Sequence, residues 1–332
     1  MARPVTLAIN GLGRIGRTVL RQIAGCGDDA FRIVAVNDIA DIDMIEYLLR
    51  FDSVFGPFPG RLERKGDDLS VNGRIIRVSR AANLSEVDLT GVDVLLECIG
   101  KAQTRDWAMR GLTAGAASVL ISGPSPAADV TVVLGANDDR LGDARIVSNA
   151  SCTTNALAPL LAALDAAWGV ESAHMTTIHC YTGSQPTIDA PRDDPARSRA
   201  AALSMVPTTT SATRLIDTVL PHLAGRISGA AVRVPVASVS AIDLVVQART
   251  LPEGDLTGAL RAMAEASPVM GWTDWPNVSS DLRARPESVI LALPETERIG
   301  EHQLRVFGWY DNEWGFSARM LDMAARMAAR KP

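Results

Sequence analysis

Apolar residues along this chain fall into short runs separated by helical patterns, an alternation typical of a parallel sheet covered on both faces. Val5 to Asn10, Phe31 to Val36 and Val92 to Cys98 are near-continuous apolar runs, as expected for strands buried on both faces. Helical spacing follows the first run and recurs over Thr104 to Ala114. Strands and helices alternate over about 150 residues, which predicts an α/β fold with a Rossmann-type doubly wound parallel sheet.

A different pattern begins after residue 150 and predicts a second domain. A helical run from Cys152 to about Ala167 leads into a longer strand, Ala173 to His179, in which alternate residues can face a core. Further runs at 230–236 and 239–248 alternate as in a mostly antiparallel sheet, which makes this domain α+β. Residues 314–330 carry apolar side chains at helical spacing and are long enough to pack on another domain.

The composition fits an ordinary globular protein with room for two domains. The chain has 332 residues, 47% of them hydrophobic, and its net charge of -5 argues against nucleic acid and anionic membranes as partners. Its four cysteines show neither a metal-site spacing nor a disulfide framework, so we expect a reducing compartment and no bound metal. The N-terminus leads into a strand without an apolar signal core, which predicts a cytoplasmic protein.

A glycine-rich turn follows the first strand and opens the first helix. Its residues are Gly11-Leu12-Gly13-Arg14-Ile15-Gly16. In such a turn the first glycine permits the bend, the second lets a pyrophosphate approach the backbone, and the third lets helix and strand pack closely. Asp38 follows the second strand, where a carboxylate would accept hydrogen bonds from an adenosine ribose and repel a 2′-phosphate. This stretch predicts a dinucleotide site that prefers NAD over NADP.

Cys152 lies where a short apolar strand ends and a helix begins. The amide groups of a first helical turn have no intrahelical partner and the helix dipole is positive there, so we expect a thiolate with a lowered pKa. Hydroxyl side chains surround the cysteine in SNASCTTN, including Ser151 and Thr153. A buried structural cysteine would need none of them. The stretch therefore predicts a nucleophile beside an anion site.

A nucleophilic thiol needs a base, and His179 is the best candidate among the four histidines. It closes the strand that follows the Cys152 helix, and HCYTGSQ continues from it directly into a loop. That loop, Cys180 to Ser204, shows little periodicity, and structureless segments of such length are uncommon unless they are functional. We therefore predict that His179 is a general base.

Five motifs resemble, in order, those of the phosphorylating glyceraldehyde-3-phosphate dehydrogenases, along essentially the whole chain. They are NGLGRIGR from Asn10, SNASCTTN from Ser148, HCYTGSQ from His179, VRVPVASVSAIDL from Val232 and WYDNEWGFSARM from Trp309. The resemblance implies a homotetrameric oxidoreductase of glycolysis. It also implies an NAD-binding domain over 1–150, a catalytic domain over 151–313, and a C-terminal helix over 314–332 that packs back on the NAD-binding domain.

The resemblance further implies a reaction. The Cys152 thiolate adds to the aldehyde carbon of D-glyceraldehyde 3-phosphate, hydride passes from the hemithioacetal to NAD, and His179 takes the hydroxyl proton. Inorganic phosphate then attacks the remaining thioester and releases the acyl phosphate, 1,3-bisphosphoglycerate. The implied partners are thus a phosphorylated aldehyde and inorganic phosphate.

Two anion sites and a cofactor site are implied by motif position. Arginine offers phosphate a planar fork, and hydroxyls add donors without further charge. Asn312 matches the residue that orients the nicotinamide carboxamide. The ligands matching the substrate's own phosphate are Thr182, Arg197 and Arg233, and those matching the attacking phosphate are Ser151, Thr153 and Thr210, with Ser211 adjacent. The expected cofactor contacts are Gly11, Gly13, Arg14, Ile15, Gly16, Asp38, Ser122 and Asn312.

Several positions depart from the family's usual pattern. Ala102 stands where an aromatic residue is usual, so we expect an adenine pocket without an aromatic wall. Ser211 replaces a glycine beside Thr210 and Arg214 replaces a lysine, which leaves the geometry and the preferred oxyanion of the second anion site open. Ala190 occupies a position linked to the choice between NAD and NADP, so dual use of both cofactors stays open.

Other functions stay open as well. Close variants would oxidise erythrose 4-phosphate, or use arsenate as the second oxyanion. A different class would be an NAD-binding protein with little catalysis, which the altered pockets suggest and the pairing of Cys152 with His179 argues against. A cofactor-independent thiol hydrolase would leave the glycine-rich turn and Asp38 without a role.

Overall fold

The structure is a computed structural model that describes residues 3–27 and 29–330. The chain divides into two compact units. The first contains the described residues up to Val132, Asp139–Ala150 and those from Ser317 onward. The second contains Val133–Asp138 and Ser151–Phe316. In the described part of the chain, no helix is both long enough and apolar enough to cross a lipid bilayer.

A twisted sheet of mainly parallel strands forms the centre of the first unit. Its strands, over the described residues, are β1 Val5–Asn10, β2 Phe31–Asn37, β5 Leu62–Lys65, β6 Asp68–Val71, β7 Arg74–Ser79, β8 Val94–Glu97, β9 Ser118–Ile121, β10 Val130–Thr131 and β11 Ile146–Ser148, with a small separate hairpin of β3 Phe51–Asp52 and β4 Gly56–Pro57. The order is β10-β11-β9-β8-β1-β2-β7-β6-β5. Only the pairings of β5 with β6 and of β6 with β7 are antiparallel.

The helices of the first unit begin and end where local chemistry favours it. They are α1 Arg14–Cys26, α2 Ile42–Arg50 and α3 Arg105–Thr113. Gly27 ends α1 in a left-handed conformation, with φ of 64°, which glycine adopts without steric cost. Thr104 caps α3 by accepting a hydrogen bond from the Trp107 amide. Residues of β8 and β9 are buried throughout, as the apolar runs predict for a sheet covered on both faces.

A mixed sheet forms the centre of the second unit. Its strands are β12 Val170–Cys180, β13 Val206–Thr208, β14 Ile227–Val234, β15 Ser240–Ala248, β16 Met270–Thr273, β17 Val289–Ala292, β18 Glu297–Ile299 and β19 Gln303–Tyr310. In the segments described, the order is β13-β14-β12-β15-β19-β17-β16, with β18 on β19. Most pairings are antiparallel, but β14 runs parallel to β12 and pairs Arg233 with His179. The predicted α/β fold with a mostly antiparallel second sheet is confirmed.

Long-range pairing separates two strands that the sequence pattern presents as successive. The runs predicted at 230–236 and 239–248 form β14 and β15. They do not pair with each other, because β12 lies between them and bonds to both. Strand β12 is thereby the central element that brings residues of β14 and β15 to its two sides.

Helices α4 Cys152–Trp168, α5 Ala212–Val219 and α6 Leu256–Ala266 belong to the second unit, and α7 Trp314–Ala329 runs from it into the first. The pattern predicts a single helix from Thr213 to Leu223, and this is wrong. Helix α5 ends at Val219 and a separate 3-10 turn covers Pro221–Leu223. Proline has no amide hydrogen to donate and its ring crowds the preceding turn, which disfavours continuation of α5 into Pro221.

Gly16 offers a test of the close packing of α1 on β1. A Cβ atom at Gly16 would overlap the carbonyl oxygen of Gly11, whereas one at Gly13 would meet no heavy atom within 4 Å in the described structure. We therefore expect Gly16→Ala to lower the free energy of unfolding by about 1–3 kcal/mol. Gly13→Ala should lower it by less than about 1 kcal/mol. Urea denaturation measures both, and equal losses would contradict the packing described.

Candidate active site

A tight turn delivers Cys152 to the first position of α4. Strand β11 ends at Ser148, and Ala150 adopts a left-handed backbone with φ of 55°, which is strained for a residue with a side chain. Ser151 then caps the helix, its hydroxyl accepting a hydrogen bond from the Thr154 amide at 3.1 Å. The turn and the cap together place the thiol at the helix start, as predicted.

Cys152 and His179 lie in contact. The distance from Cys152 Sγ to His179 Nε2 is 3.6 Å. On the other side of the ring, His179 Nδ1 lies 2.7 Å from the carbonyl oxygen of Cys180. Nδ1 also lies 2.6 Å from Arg233 Nη1, which only donates. The tautomer with the hydrogen on Nδ1 donates to the Cys180 oxygen and leaves Nε2 a lone pair directed to the thiol. This is the arrangement that a general base for Cys152 requires.

Arg233 packs against the same imidazole. Its Nη1 lies 2.9 Å from the carbonyl oxygen of Cys180 and 2.6 Å from His179 Nδ1. A guanidinium has no acceptor, so it donates to Cys180 and crowds the ring with positive charge. Burial and, secondarily, this charge lower the pKa of His179 from its ordinary value of 6.5 to about 4. The base is thus neutral at physiological pH.

The expectation of a lowered thiol pKa at Cys152 is wrong for the resting protein. Burial raises the pKa of Cys152 above its ordinary value, while the charge of Arg233 and hydrogen bonding with Thr153 act in the opposite direction. Desolvation disfavours the charged form and here outweighs the helix start. The resting pair is therefore a thiol and a neutral imidazole.

A buried chain of hydroxyls adjoins the nucleophile. Tyr310 Oη lies 2.9 Å from Thr153 Oγ1 and 2.8 Å from Thr177 Oγ1. Thr177 donates to the carbonyl oxygen of Ala241, so Tyr310 donates to Thr177 and accepts from Thr153. The Tyr310 ring also meets the His179 ring edge-on, with centroids 6.0 Å apart. The hydroxyl of Thr153 thus faces the protein interior. Tyr310 was not predicted from the sequence, although it lies in the motif WYDNEWGFSARM.

The four remaining predicted anion ligands lie on three further segments of the second unit. Arg197 donates from Nε to Thr208 Oγ1 at 2.5 Å and from Nη2 to the Thr209 carbonyl at 3.2 Å. Thr210 accepts a hydrogen bond from the amide at the start of α5, where Ser211 is the N-cap residue. Arg197 is therefore held beside the segment of Thr210 and Ser211. Thr182 lies in a different turn, with its hydroxyl 2.9 Å from that of Ser184.

Asn312 follows the end of β19 and is almost fully buried. Its Oδ1 atom lies 3.1 Å from Cys180 Sγ and 3.2 Å from Ser240 Oγ. The preceding residue, Asp311, accepts hydrogen bonds from the amides of Glu313 and Trp314 at the start of α7. Buried contacts on both sides thus hold the predicted carboxamide ligand.

A cleft of about 480 Å³ in the first unit contains the glycine-rich turn and Asp38. The carboxylate of Asp38 accepts from the amides of Leu12 at 2.7 Å and Ala40 at 3.0 Å. Gly13 faces open space at the N-cap of α1, so a phosphate can approach amides that helix geometry leaves as donors. A side chain at Gly13 would fill this cradle, and the fit to a dinucleotide is good.

The cleft contains an aromatic residue that was not predicted from the sequence. Ala102 is buried in the core and does not line the cleft, whereas Trp107 does, with the Arg110 guanidinium 3.9 Å from its ring centroid. The cleft thus has an aromatic residue, contributed by α3. Arg14 forms an ion pair with Asp52. Ser122, directly after β9, donates its amide hydrogen to the carbonyl oxygen of Glu97 at the end of β8. Only the strand order brings α3 to this edge, so local patterns could not reveal Trp107.

Comparisons with known proteins agree with this geometry. The family model for glyceraldehyde 3-phosphate dehydrogenase, NAD binding domain, matches residues 5–105, and that for its C-terminal domain matches residues 151–312. Proteins named glyceraldehyde-3-phosphate dehydrogenase from Xanthobacter flavus, Pseudomonas aeruginosa and Cereibacter sphaeroides are 46%, 45% and 44% identical to this chain. These alignments cover 97–98% of the chain and 98–99% of each relative. The chain belongs to the glyceraldehyde-3-phosphate dehydrogenase family.

Membership in this family confirms three predictions made from the sequence. They are the family itself, the enzyme class of NAD-dependent oxidoreductases acting on an aldehyde, and NAD as the cofactor. The cleft around Gly13 and Asp38 fits this dinucleotide and would hold it, and NAD when bound would supply the hydride acceptor. The roles of individual residues stay predictions.

The lowered pKa of His179 predicts a dependence of stability on pH. Between pH 6.5 and about 4 the unfolded chain binds a proton at this residue that the folded protein does not, so stability falls as the pH falls through this window. His179→Asn should remove up to about 3 kcal/mol of that fall. The measurement is urea denaturation of parent and variant across this pH range.

His174→Asn is the matched control, because His174 lies exposed on the same strand. It should keep the pH dependence of the parent. Identical pH profiles for His179→Asn and the parent would show that His179 is protonated normally in the folded protein.

Proposed function

We propose that this protein oxidises D-glyceraldehyde 3-phosphate with NAD and inorganic phosphate, giving 1,3-bisphosphoglycerate through a thioester on Cys152. The observation that carries the proposal is the 3.6 Å contact between Cys152 Sγ and His179 Nε2, and in the proposed reaction the hydrogen of the neutral imidazole is on Nδ1, so that Nε2 accepts a proton. A binding protein would need no such pair. The family's activity on this aldehyde, named in the relatives, supports the choice of substrate.

His179 moves the proton in each step. As Cys152 Sγ attacks the aldehyde carbon, Nε2 takes the thiol proton and returns it to the carbonyl oxygen, which gives the hemithioacetal. Nε2 then takes the hydroxyl proton while hydride leaves the carbon with its electron pair. The carbon is oxidised to a thioester, and NAD, when bound, supplies the hydride acceptor.

Phosphate completes the reaction by attack on the thioester. A phosphate oxygen bonds to the acyl carbon, the carbon–sulfur bond breaks, and Cys152 recovers its proton from His179. The neutral resting pair is thereby restored, and the proton lost by the attacking phosphate is released to solvent. Because burial keeps both groups neutral at rest, charge develops only when substrate is present.

Two groups of side chains are proposed to hold the two anions. Arg233, beside His179, and Thr182 would bind the phosphate of the aldehyde. Ser151, Thr210 and Ser211 would serve the attacking phosphate, and Thr153 would contribute its main-chain amide, because its hydroxyl donates to Tyr310. The contacts of Arg197 with Thr208 and Thr209 favour its membership of this second group over the first.

The assembly and the compartment are also proposals. Three apolar side chains are exposed on the loop after β12, namely Ile188, Leu203 and Met205, each at least 74% exposed. Apolar surface of this kind favours burial against another copy, which supports the homotetramer. Four cysteines without a disulfide among the described residues support a reducing cytoplasm.

The first test measures initial rates of NADH formation from D-glyceraldehyde 3-phosphate and NAD, with and without inorganic phosphate. We expect turnover that requires both phosphate and Cys152, so Cys152→Ser should lower kcat by at least about 1,000-fold. Cys26→Ser, at an exposed thiol, is the matched control and should keep the parent rate.

Parallel assays distinguish the neighbouring functions. Erythrose 4-phosphate as the better aldehyde, or arsenate as the better oxyanion, would replace the proposed substrates. An equal rate of NADH formation with and without phosphate would contradict the acyl phosphate product. Ser211→Gly would then test whether Ser211 blocks the anion site. NAD binding without turnover would leave the binding-protein alternative.

Asp38 should determine the choice between NAD and NADP. Asp38→Asn keeps an oxygen for the Leu12 amide but removes the charge that repels a 2′-phosphate. We expect the ratio of kcat/KM for NAD to that for NADP to fall at least about 10-fold. Asp41→Asn, at an exposed carboxylate nearby, should leave the ratio unchanged; the same ratio in Asp38→Asn would refute the role.

A further inference from the structure

The amide oxygen of Asn312 has two neighbours that are both able to donate a hydrogen. Cys180 Sγ lies 3.1 Å and Ser240 Oγ 3.2 Å from Asn312 Oδ1. Ser240 Oγ itself accepts the amide hydrogen of Cys180 at 3.1 Å. All three residues are buried, so these contacts are shielded from competition by water.

The donor and acceptor groups of these three side chains give each contact a direction. Ser240 Oγ accepts the amide hydrogen of Cys180 and donates its own hydrogen to Asn312 Oδ1. Cys180 is a thiol and not a thiolate, since burial raises its pKa to about 12. Asn312 Oδ1 therefore accepts from two donors. With the amide turned over, Ser240 and Cys180 would have to accept from its NH₂ group instead, and a thiol sulfur is a weak acceptor.

We infer that Cys180 and Ser240 are positioning residues that hold Asn312 with Oδ1 inward, so that its Nδ2 hydrogens are presented to the carboxamide oxygen of the nicotinamide. This inference rests on the proposed role of Asn312. Under this inference Cys180 has two roles, one for its main chain and one for its side chain. Its carbonyl oxygen orients His179, and its side chain orients the residue that would orient the hydride acceptor.

The side chain of Cys180 can be changed without altering its carbonyl oxygen. Cys180→Ala removes one donor to Asn312, and a hydrogen bond of this kind contributes a factor of about 3–10 in affinity. Cys180→Ser keeps a donor at nearly the same place. The affinity for NAD should thus fall in Cys180→Ala and recover in Cys180→Ser.

The test compares binding of NAD and of ADP-ribose, which lacks the nicotinamide ring, by titration calorimetry. We expect Cys180→Ala to raise the Kd for NAD about 3- to 10-fold and to leave the Kd for ADP-ribose unchanged. Cys180→Ser should restore the parent Kd for NAD. Asn312→Ala should remove the advantage of NAD over ADP-ribose, and Cys26→Ala is the control for loss of a thiol elsewhere.

Each contrary outcome has its own meaning. If Cys180→Ala weakens NAD and ADP-ribose equally, the side chain acts on the structure in general and the inference is overturned. If Asn312→Ala abolishes the advantage of NAD while Cys180→Ala leaves it intact, the inference fails and the role of Asn312 survives. If Asn312→Ala changes neither Kd, the proposed role of Asn312 fails first.

Discussion

The carbonyl oxygen of Cys180 is the acceptor on which the arrangement of the active site depends. It lies 2.7 Å from His179 Nδ1 and accepts from Arg233 Nη1 at 2.9 Å, and so holds the imidazole with its other nitrogen at the Cys152 thiol. The oxygen is available there because β12 ends at this residue, with β14 alongside in parallel register. A shift of that register would separate Arg233 from His179 and from this oxygen.

Desolvation decides the charge of the resting site. A helix start favours a thiolate, yet burial raises the pKa of Cys152 and lowers that of His179. The energetically favoured state is a neutral pair, in which charge need not be stabilised until a substrate arrives. In the proposed reaction the two groups exchange a proton over their 3.6 Å contact, so the cost of forming the thiolate falls within the reaction itself.

Local patterns predicted most helices and strands but not which strands pair with each other. The apolar runs that became β1, β2 and β8 were recognisable because both faces of each strand are buried. The helix expected through Leu223 ended at Val219, since Pro221 follows. Strands β14 and β15 follow each other in the chain but flank β12, and such pairings join residues that no short window contains.

The sequence by itself determined the glycine-rich turn, the helix start at Cys152 and the family, because each depends on residues close together in the chain. Tertiary structure alone decided the orientation of the His179 ring, the direction of the Cys152 pKa shift and the partners of Arg197. It also brought Trp107 to the cofactor cleft and Cys180 to Asn312. These features depend on burial and on contacts between distant segments, which exist only once the sheets have formed.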